Sequence, residues 1–245
     1  MSSTARADDE ALEQQQLTQA RSELGTFWHR CRSSVVTRRL QRDGVHDVVD
    51  VGAGAGHLGT WLHRRAPDIT YRFVERNERL AAALAVRFSE AQQETQTSVV
   101  DAPAVVMLDV VEHVADDHAF LSSWVERLRP GGLLVVTVPA LPSLFSAWDE
   151  AMGHYRRYTK RTLRAAVRDL PLSVLECSYL FPELVPPAVV RRVARPRASE
   201  TSPEFPVLPR PLDGLLYLSG RATASVRRVV PIGTSLVLVA RRTDH

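Results

Sequence analysis

Lysine is nearly absent from this chain. Lys160 is the only one, so the positive charge rests on arginine, and the net charge is only +3. Arginine dominance with so small an excess reads as a compositional bias rather than a nucleic-acid surface, and no module interleaves basic and aromatic side chains to read bases. Cysteine is scarce as well. Cys31 and Cys177 show neither metal-ligand nor disulfide spacing, which makes a reducing cytoplasm the expected compartment. No apolar run approaches the ~20 residues needed to cross a bilayer. The opening stretch MSSTARADDEALEQQQLTQARSE lacks an apolar centre and argues against a secretory signal.

What is present is a run of alternating strand-like and helix-like blocks, in a length of 245 residues that suits one large α/β domain. Residues 1–24 are polar and glutamine-rich and read as an arm. A helical segment follows to Gln41. DVVDV (47–51), TYRFVE (70–75), 97–100, AVVML (104–108), LLVVTV (133–138), LSVLECSYL (172–180) and SLVLVAR (235–241) read as strands. Helices are predicted over 58–65, 77–91, 119–128 and 160–170, the third closed by Arg129-Pro130-Gly131-Gly132. Near-continuous apolar strands alternating with helices predict a doubly wound, mostly parallel sheet covered on both faces. Ligands of such a sheet sit at the carboxyl ends of its strands. The domain is expected over 25–180 plus 232–245. Residues 181–231, rich in proline and arginine, interrupt it as an insert that reads as a substrate lid, with a helix over 212–228.

The strongest chemical signal is VVDVGAGAGHLG, residues 48–59. A buried strand runs into a glycine turn that opens a helix. Glycines let a ligand approach the backbone, and the helix start offers free N–H groups. Dinucleotide folds want G-x-G-x-x-G, but His57 stands where the third glycine would fall, which counts against a nicotinamide oxidoreductase. Here the pattern is G-x-G-x-G with Asp50 two residues ahead. Glu75 ends the second strand, where an acceptor-only carboxylate can take both ribose hydroxyls.

These blocks together resemble a class I S-adenosyl-methionine-dependent methyltransferase. VVDVGAGAG, FVERN, LDVVEHV (108–114) and LRPGGLLVVTVPA (128–140) match in order. Residues 148–159, WDEAMGHYRRYT, are similar to a W-D-x-x-x-G-H-x-R-R-Y-[ST] block of a bacterial small-molecule branch, and Phe27, Trp28 and Arg32 are similar to its N-terminal helix. The resemblance implies a Rossmann-like sheet of seven strands, the last antiparallel and paired with the sixth, with a cap insert between them. It implies S-adenosyl-L-methionine as cofactor, contacted by Asp50, Gly52, Gly54, Gly56, His57, Leu58, Glu75, Arg76, Leu108 and Asp109. Asp101 is the candidate for the adenine amino group.

Methyl transfer needs alignment, exclusion of water and, for a hydroxyl or protonated amine, a base near neutrality. His113 and His154 are the catalytic candidates, with His113 preferred. Glu112, Trp148, Tyr155, Arg156 and Tyr158 are assigned to the acceptor, with Arg156, Arg157 and Tyr158 as partners for an anionic group. No metal is expected, although Asp109, Glu112 and His113 resemble the metal site of some methyltransferases. The expected activity is methylation of a small molecule in secondary-metabolite or envelope-precursor biosynthesis, at oxygen by preference. The alternatives are a non-catalytic cofactor-binding scaffold and a lipid-like or nucleic-acid acceptor. The oligomeric state, monomer or homodimer, is left open.

Overall fold

Strict alternation along the central strands builds the fold. In the computed structural model, which describes residues 25–89, 92–194 and 208–243, successive strand residues point to opposite faces. Val48, Ala104, Val106, Leu133, Val135, Val237 and Val239 join one core, whereas Val49, Val51, Val105, Met107, Leu134, Val136, Leu236 and Leu238 join the other. Both sets are buried, so the strands must be covered on both sides.

The elements run α1 (Phe27–Arg42), β1 (Asp47–Val51), α2 (His57–Arg65), β2 (Thr70–Val74), α3 (Glu78–Phe88), β3 (Ala102–Leu108), α4 (Asp117–Val125), β4 (Leu128–Pro139), α5 (Ala147–Ala151), α6 (Lys160–Ala165), β5 (Leu172–Leu180), α7 (Val185–Ala194), α8 (Arg210–Ser225) and β6 (Ser235–Arg242). The sheet order is β2-β1-β3-β4-β6-β5. β1 pairs in parallel with β2 and β3, and β3 with β4. β6 is antiparallel to both β4 and β5. The chain leaves β1 toward one edge and returns on its other side, so the glycine turn after β1 lies at the topological switch point. Phe27, Leu58, Leu84 and Ala224 cover one face; Leu121, Trp124 and Leu163 cover the other. Each such fully buried large apolar side chain contributes roughly 1.5–3 kcal/mol.

The expected seven-stranded sheet has six strands among the described residues. Residues 97–100 form no strand. Ser98 N–H donates to Thr95 Oγ1, Thr95 N–H to Ser98 Oγ and Val99 N–H to the Thr95 carbonyl. Hydroxyls that capture nearby backbone groups compete with a ladder. Only a single bridge, Phe73 to Gln93, lies along the outer edge of β2. The Arg129-Pro130-Gly131-Gly132 segment is not a free turn either. It is an irregularity inside β4, whose pairing shifts between Ala102 and Ala104.

The insert is helical where it is described. α7 carries Pro186 and Pro187 in its first turn, where the missing N–H groups would have no helical partner anyway. The arm at 1–24 lies outside the described residues.

Candidate active site

A cavity of about 640 Å³ opens at the carboxyl ends of β1, β3 and β4. Its floor comes from Asp50, Gly52, Gly54, His57, Leu58, Leu108, Asp109, Glu112, His113, Trp148 and His154, all expected from the sequence. Its roof comes from Trp28 and Arg32 of α1 and from Leu184, Pro187, Ala188, Leu208 and Leu216 of the insert.

The glycine turn divides its labour. Gly52 and Gly54 have φ of 69° and 55° and line the cavity; around Gly54 a Cβ would meet almost nothing. Gly56 works inward. A Cβ there would stand 2.5 Å from Leu84 Cδ2 and 2.9 Å from Phe88 Cε2, so this glycine lets α2 and α3 approach and does not reach the cavity. Glu75 accepts from Gly54 N–H at 2.8 Å and from Asn77 N–H at 2.9 Å. Glu75 is not itself a cavity-lining residue; it meets the turn through Gly54 N–H, and its lone pairs beyond these two bonds can still accept from hydroxyls.

Asp50 is 3% exposed. Burial raises its carboxyl from 3.8 to about 7; the Tyr71 hydroxyl, donating at 3.0 Å, pulls the other way, and Glu75 adds to the rise. A further cation beside such a group would favour its charged form. The ammonium of S-adenosyl-methionine is a cation of that kind, and Asp50, the open turn and Glu75 suit the cofactor.

On the opposite wall, Asp149 is fully buried and holds His154 Nδ1 at 3.0 Å and Arg157 Nε at 2.7 Å. Burial raises the Asp149 carboxyl, but the hydrogen bonds from His154 and Arg157 outweigh it and the net shift is downward. Asp149 is therefore an anion and can only accept. Nδ1 of His154 must carry the proton, which leaves Nε2 as an acceptor. The His113 ring lies edge-on to His154 with centroids 4.6 Å apart. Burial, reinforced by His154, lowers His113 to about 4, so it is neutral at physiological pH.

Glu112 is wholly buried, and neither carboxylate oxygen has a hydrogen-bond partner. Burial, then the charge of Asp109, raises it well above the usual carboxylate range. A neutral acid accounts for this. The geometry also corrects the metal alternative. Asp109 is tied to Arg32, to Thr137 Oγ1 at 3.1 Å and to Trp28 Nε1 at 3.5 Å. The trio whose ligand atoms lie within 4.8 Å of one another is Glu112, His113 and His154.

Other assignments fail on position. Asp101 precedes β3 at its amino end, so the length of the strand separates it from the cavity. Arg76 is exposed at the end of β2 and is not part of the cavity wall. Tyr155 is 60% exposed. Arg156 pairs with Asp117 and with the Ala115 carbonyl. Tyr158 is buried, donates to Asp117 at 2.8 Å and packs in the core under α4. Arg156 and Tyr158 therefore lock the loop to α4 rather than face an acceptor. Asp149 and Arg157 sit in the WDEAMGHYRRYT block; its spacing placed the histidine, but not the acid five residues earlier that orients it.

The sheet order, the glycine turn and the two strand-end acids define a class I methyltransferase fold, whose cofactor is S-adenosyl-L-methionine. A methyltransferase-domain family model matches residues 18–176, and the chain belongs to that family. It is 30% identical over 142 residues to trans-aconitate 2-methyltransferase of Mycobacterium tuberculosis, which covers 56% of this chain and 52% of the relative. The chain thus matches about half the length of its curated relatives. Among solved structures, an S-adenosylmethionine-dependent methyltransferase from Clostridium acetobutylicum aligns with a TM-score of 0.54 at 8% identity, over 87% of this chain and 92% of that one. Coclaurine N-methyltransferase aligns at 0.53 and 10% identity, over 85% and 70%. The cyclase SpnF aligns at 0.52 and 16% identity, over 86% and 79%. At such identities the likeness is one of fold.

Proposed function

We propose that this chain transfers a methyl group from S-adenosyl-L-methionine to a small anionic acceptor, with His154 as the base. The observation that carries the reading is His154, which lines the cavity onto which the glycine turn also opens and is backed by the buried Asp149. The cofactor, when bound, supplies a methyl group on a sulfonium that is already a good leaving group. The chain's part is to hold, align and deprotonate.

Asp50 offers a carboxylate to a cation, and Glu75 accepts from hydroxyls. Trp148 and Leu144 help wall off water. His154 Nε2 takes the proton of a hydroxyl acceptor while Asp149 stabilises the resulting imidazolium. This favours oxygen as the methylated atom and His154 over His113 as the base, because only His154 has a carboxylate behind it. Four arginines, Arg32, Arg157, Arg191 and Arg192, stand on the cavity wall. Arg32 and Arg157 are already paired with Asp109 and Asp149; a carboxylate or phosphate on the acceptor would be met by Arg191 and Arg192 of the insert. A secondary metabolite or an envelope precursor fits that description.

The name of the mycobacterial relative makes trans-aconitate the first acceptor to assay. Calorimetry with S-adenosyl-homocysteine tests the cofactor half. Product formation from a panel of anionic acceptors tests the other half. Cofactor binding without turnover on any of them would favour a scaffold, and SpnF is named for a cyclisation on this same fold.

A further inference from the structure

The insert turns one apolar face toward the cavity and another outward. On α7, Pro187 and Ala188 line the cavity, while Val189, Val190 and Val193 are 44%, 66% and 74% exposed. On α8, Leu216 lines the cavity, while Leu212, Leu215 and Leu218 are exposed. Val226, Val229 and Ile232 continue the exposed apolar run beyond α8. Nine of the thirteen exposed large apolar side chains among the described residues therefore fall in the insert and the stretch that closes it. The other four are scattered singly, as on any protein surface. A concentration of this kind marks an interaction site.

Charge narrows the partner. Residues 185–194 and 208–232 hold six arginines against one acid, Asp213, which is ion-paired with Arg30; Arg227 and Arg228 pair with Glu176 on β5, and Arg191, Arg192, Arg210 and Arg221 set the charge of the face. Arg191, Arg210 and Arg221 are exposed among the apolar positions. Two copies of such a surface would repel each other, whereas an anionic sheet of headgroups would complement it. Neither helix is long and apolar enough to cross a membrane. Short helices with aliphatic side chains on one side and arginines beside them lie in the interfacial plane.

We infer that the outer face of the insert seats on an anionic lipid surface, and that an amphiphilic acceptor passes from that surface between α7 and α8 into the cavity. The acceptor half of this inference rests on the methyl-transfer reading above; the surface half does not. The inner faces of the same helices offer Leu184, Pro187, Ala188, Leu208 and Leu216 to an apolar tail. The polar end would then meet the arginines and His154.

The test is flotation of the full chain with phosphatidylcholine vesicles, with and without phosphatidylglycerol, at low and high salt. The expected result is partition into the anionic vesicles, weakened by salt. The double variants Val190→Asp/Val193→Asp and Leu215→Asp/Leu218→Asp alter only exposed positions. Each is expected to lower the partition coefficient about tenfold or more. Binding of S-adenosyl-homocysteine, measured by calorimetry, is expected to stay at the parent value in both and so reports that they are folded. No preference for anionic vesicles, or unchanged partition of both variants, would overturn the inference. So would a concentration-dependent dimer that ignores vesicles, which would assign the face to a second copy. Vesicle binding by a chain that fails to bind the cofactor would sink the methyltransferase reading and leave the surface assignment standing.

Discussion

Replacing Asp50 by Asn removes a charge that the folded chain holds at a cost. The side chain is 3% exposed, and burial moves its carboxyl from 3.8 to about 7. Between those two values the folded state keeps the proton and the unfolded state has lost it. Stability therefore falls as pH rises through this window, the reverse of an ion-paired aspartate. At about 1.4 kcal/mol for each tenfold change in proton affinity, the loss above pH 7 reaches up to about 4 kcal/mol. For a chain of this size each kcal/mol moves Tm by roughly 2–4 °C. Asn keeps an oxygen for the Tyr71 hydroxyl, so the shape of the site is preserved. Asp50→Asn is expected to raise Tm of the free protein at pH 8 by up to about 16 °C and to leave it nearly unchanged near pH 4. With S-adenosyl-homocysteine bound, its ammonium neutralises the carboxylate, and the parent should lose most of this pH slope. The variant should bind that ligand about tenfold or more weakly. Thermal scans across the pH range with and without ligand, together with calorimetry, check each part. A variant no more stable than the parent at pH 8, or one with undiminished ligand affinity, would refute the role given to Asp50.

On the acceptor side, His154→Ala is expected to lower turnover by ~10²-fold or more. Asp149→Asn should lower kcat with little change in KM, because it removes the anion behind the ring. His113→Gln is expected to cost less than His154→Ala, and the opposite order would return the base to His113. Gly56→Ala sets a Cβ against Leu84 and Phe88 at a φ of 72°, and is expected to destabilise by about 2–3 kcal/mol in denaturant titration. Glu112→Gln should keep the fold and gain stability as pH rises, with no effect of a chelator on either protein. A Tm increase of the parent on adding a divalent cation, lost in the variant, would show instead that Glu112, His113 and His154 form a cation site.

The strands that are buried on both faces were legible residue by residue. DVVDV occupies β1 at the bounds read from its pattern, because a β-branched run stopped by glycines suits a central strand; LSVLECSYL also matches β5 at its bounds, although that strand lies at the sheet edge and is partly exposed. The stretch 97–100 was not legible, since Thr95 and Ser98 close a turn whose hydrogen bonds leave no trace in hydrophobic pattern. With that strand absent, Asp101 falls at the wrong end of β3, and its role failed for the same reason. On the cofactor side, the position of Asp50 at the cavity and of Glu75 beside the glycine turn followed from the pattern, because a strand that runs into a turn fixes where its last side chains stand. Tyr158 and Arg156 misled because a motif shows which residues recur together, not which of them face inward. Both engage Asp117 on α4, a contact between positions some forty residues apart that only the folded chain brings together.

The two halves of the cavity differ in how they are made, and this decides where specificity resides. The floor is built by one continuous run of βα units, and its charges are committed: Asp109 to Arg32, Asp149 to His154 and Arg157. The roof joins α1 to the insert. Phe27 N–H donates to Asp213 at 2.7 Å, Arg30 pairs with the same acid, and Trp28 stacks on Phe181 with centroids 4.3 Å apart. Gly220 lets the helices close to a distance at which a Cβ would stand 2.8 Å from Cys31 Sγ. These contacts link segments far apart in the chain, and none of them involves the glycine turn or Glu75. The insert's share of the roof can therefore vary without disturbing the cofactor side, whereas α1 is tied to the floor through Arg32 and Trp28 on Asp109 and through His29 on His57. A floor with committed charges can align and deprotonate, but it has few groups left with which to choose an acceptor. Choice must come from the apolar and arginine-bearing underside of α7 and α8, the part of the chain in which the general family pattern is weakest.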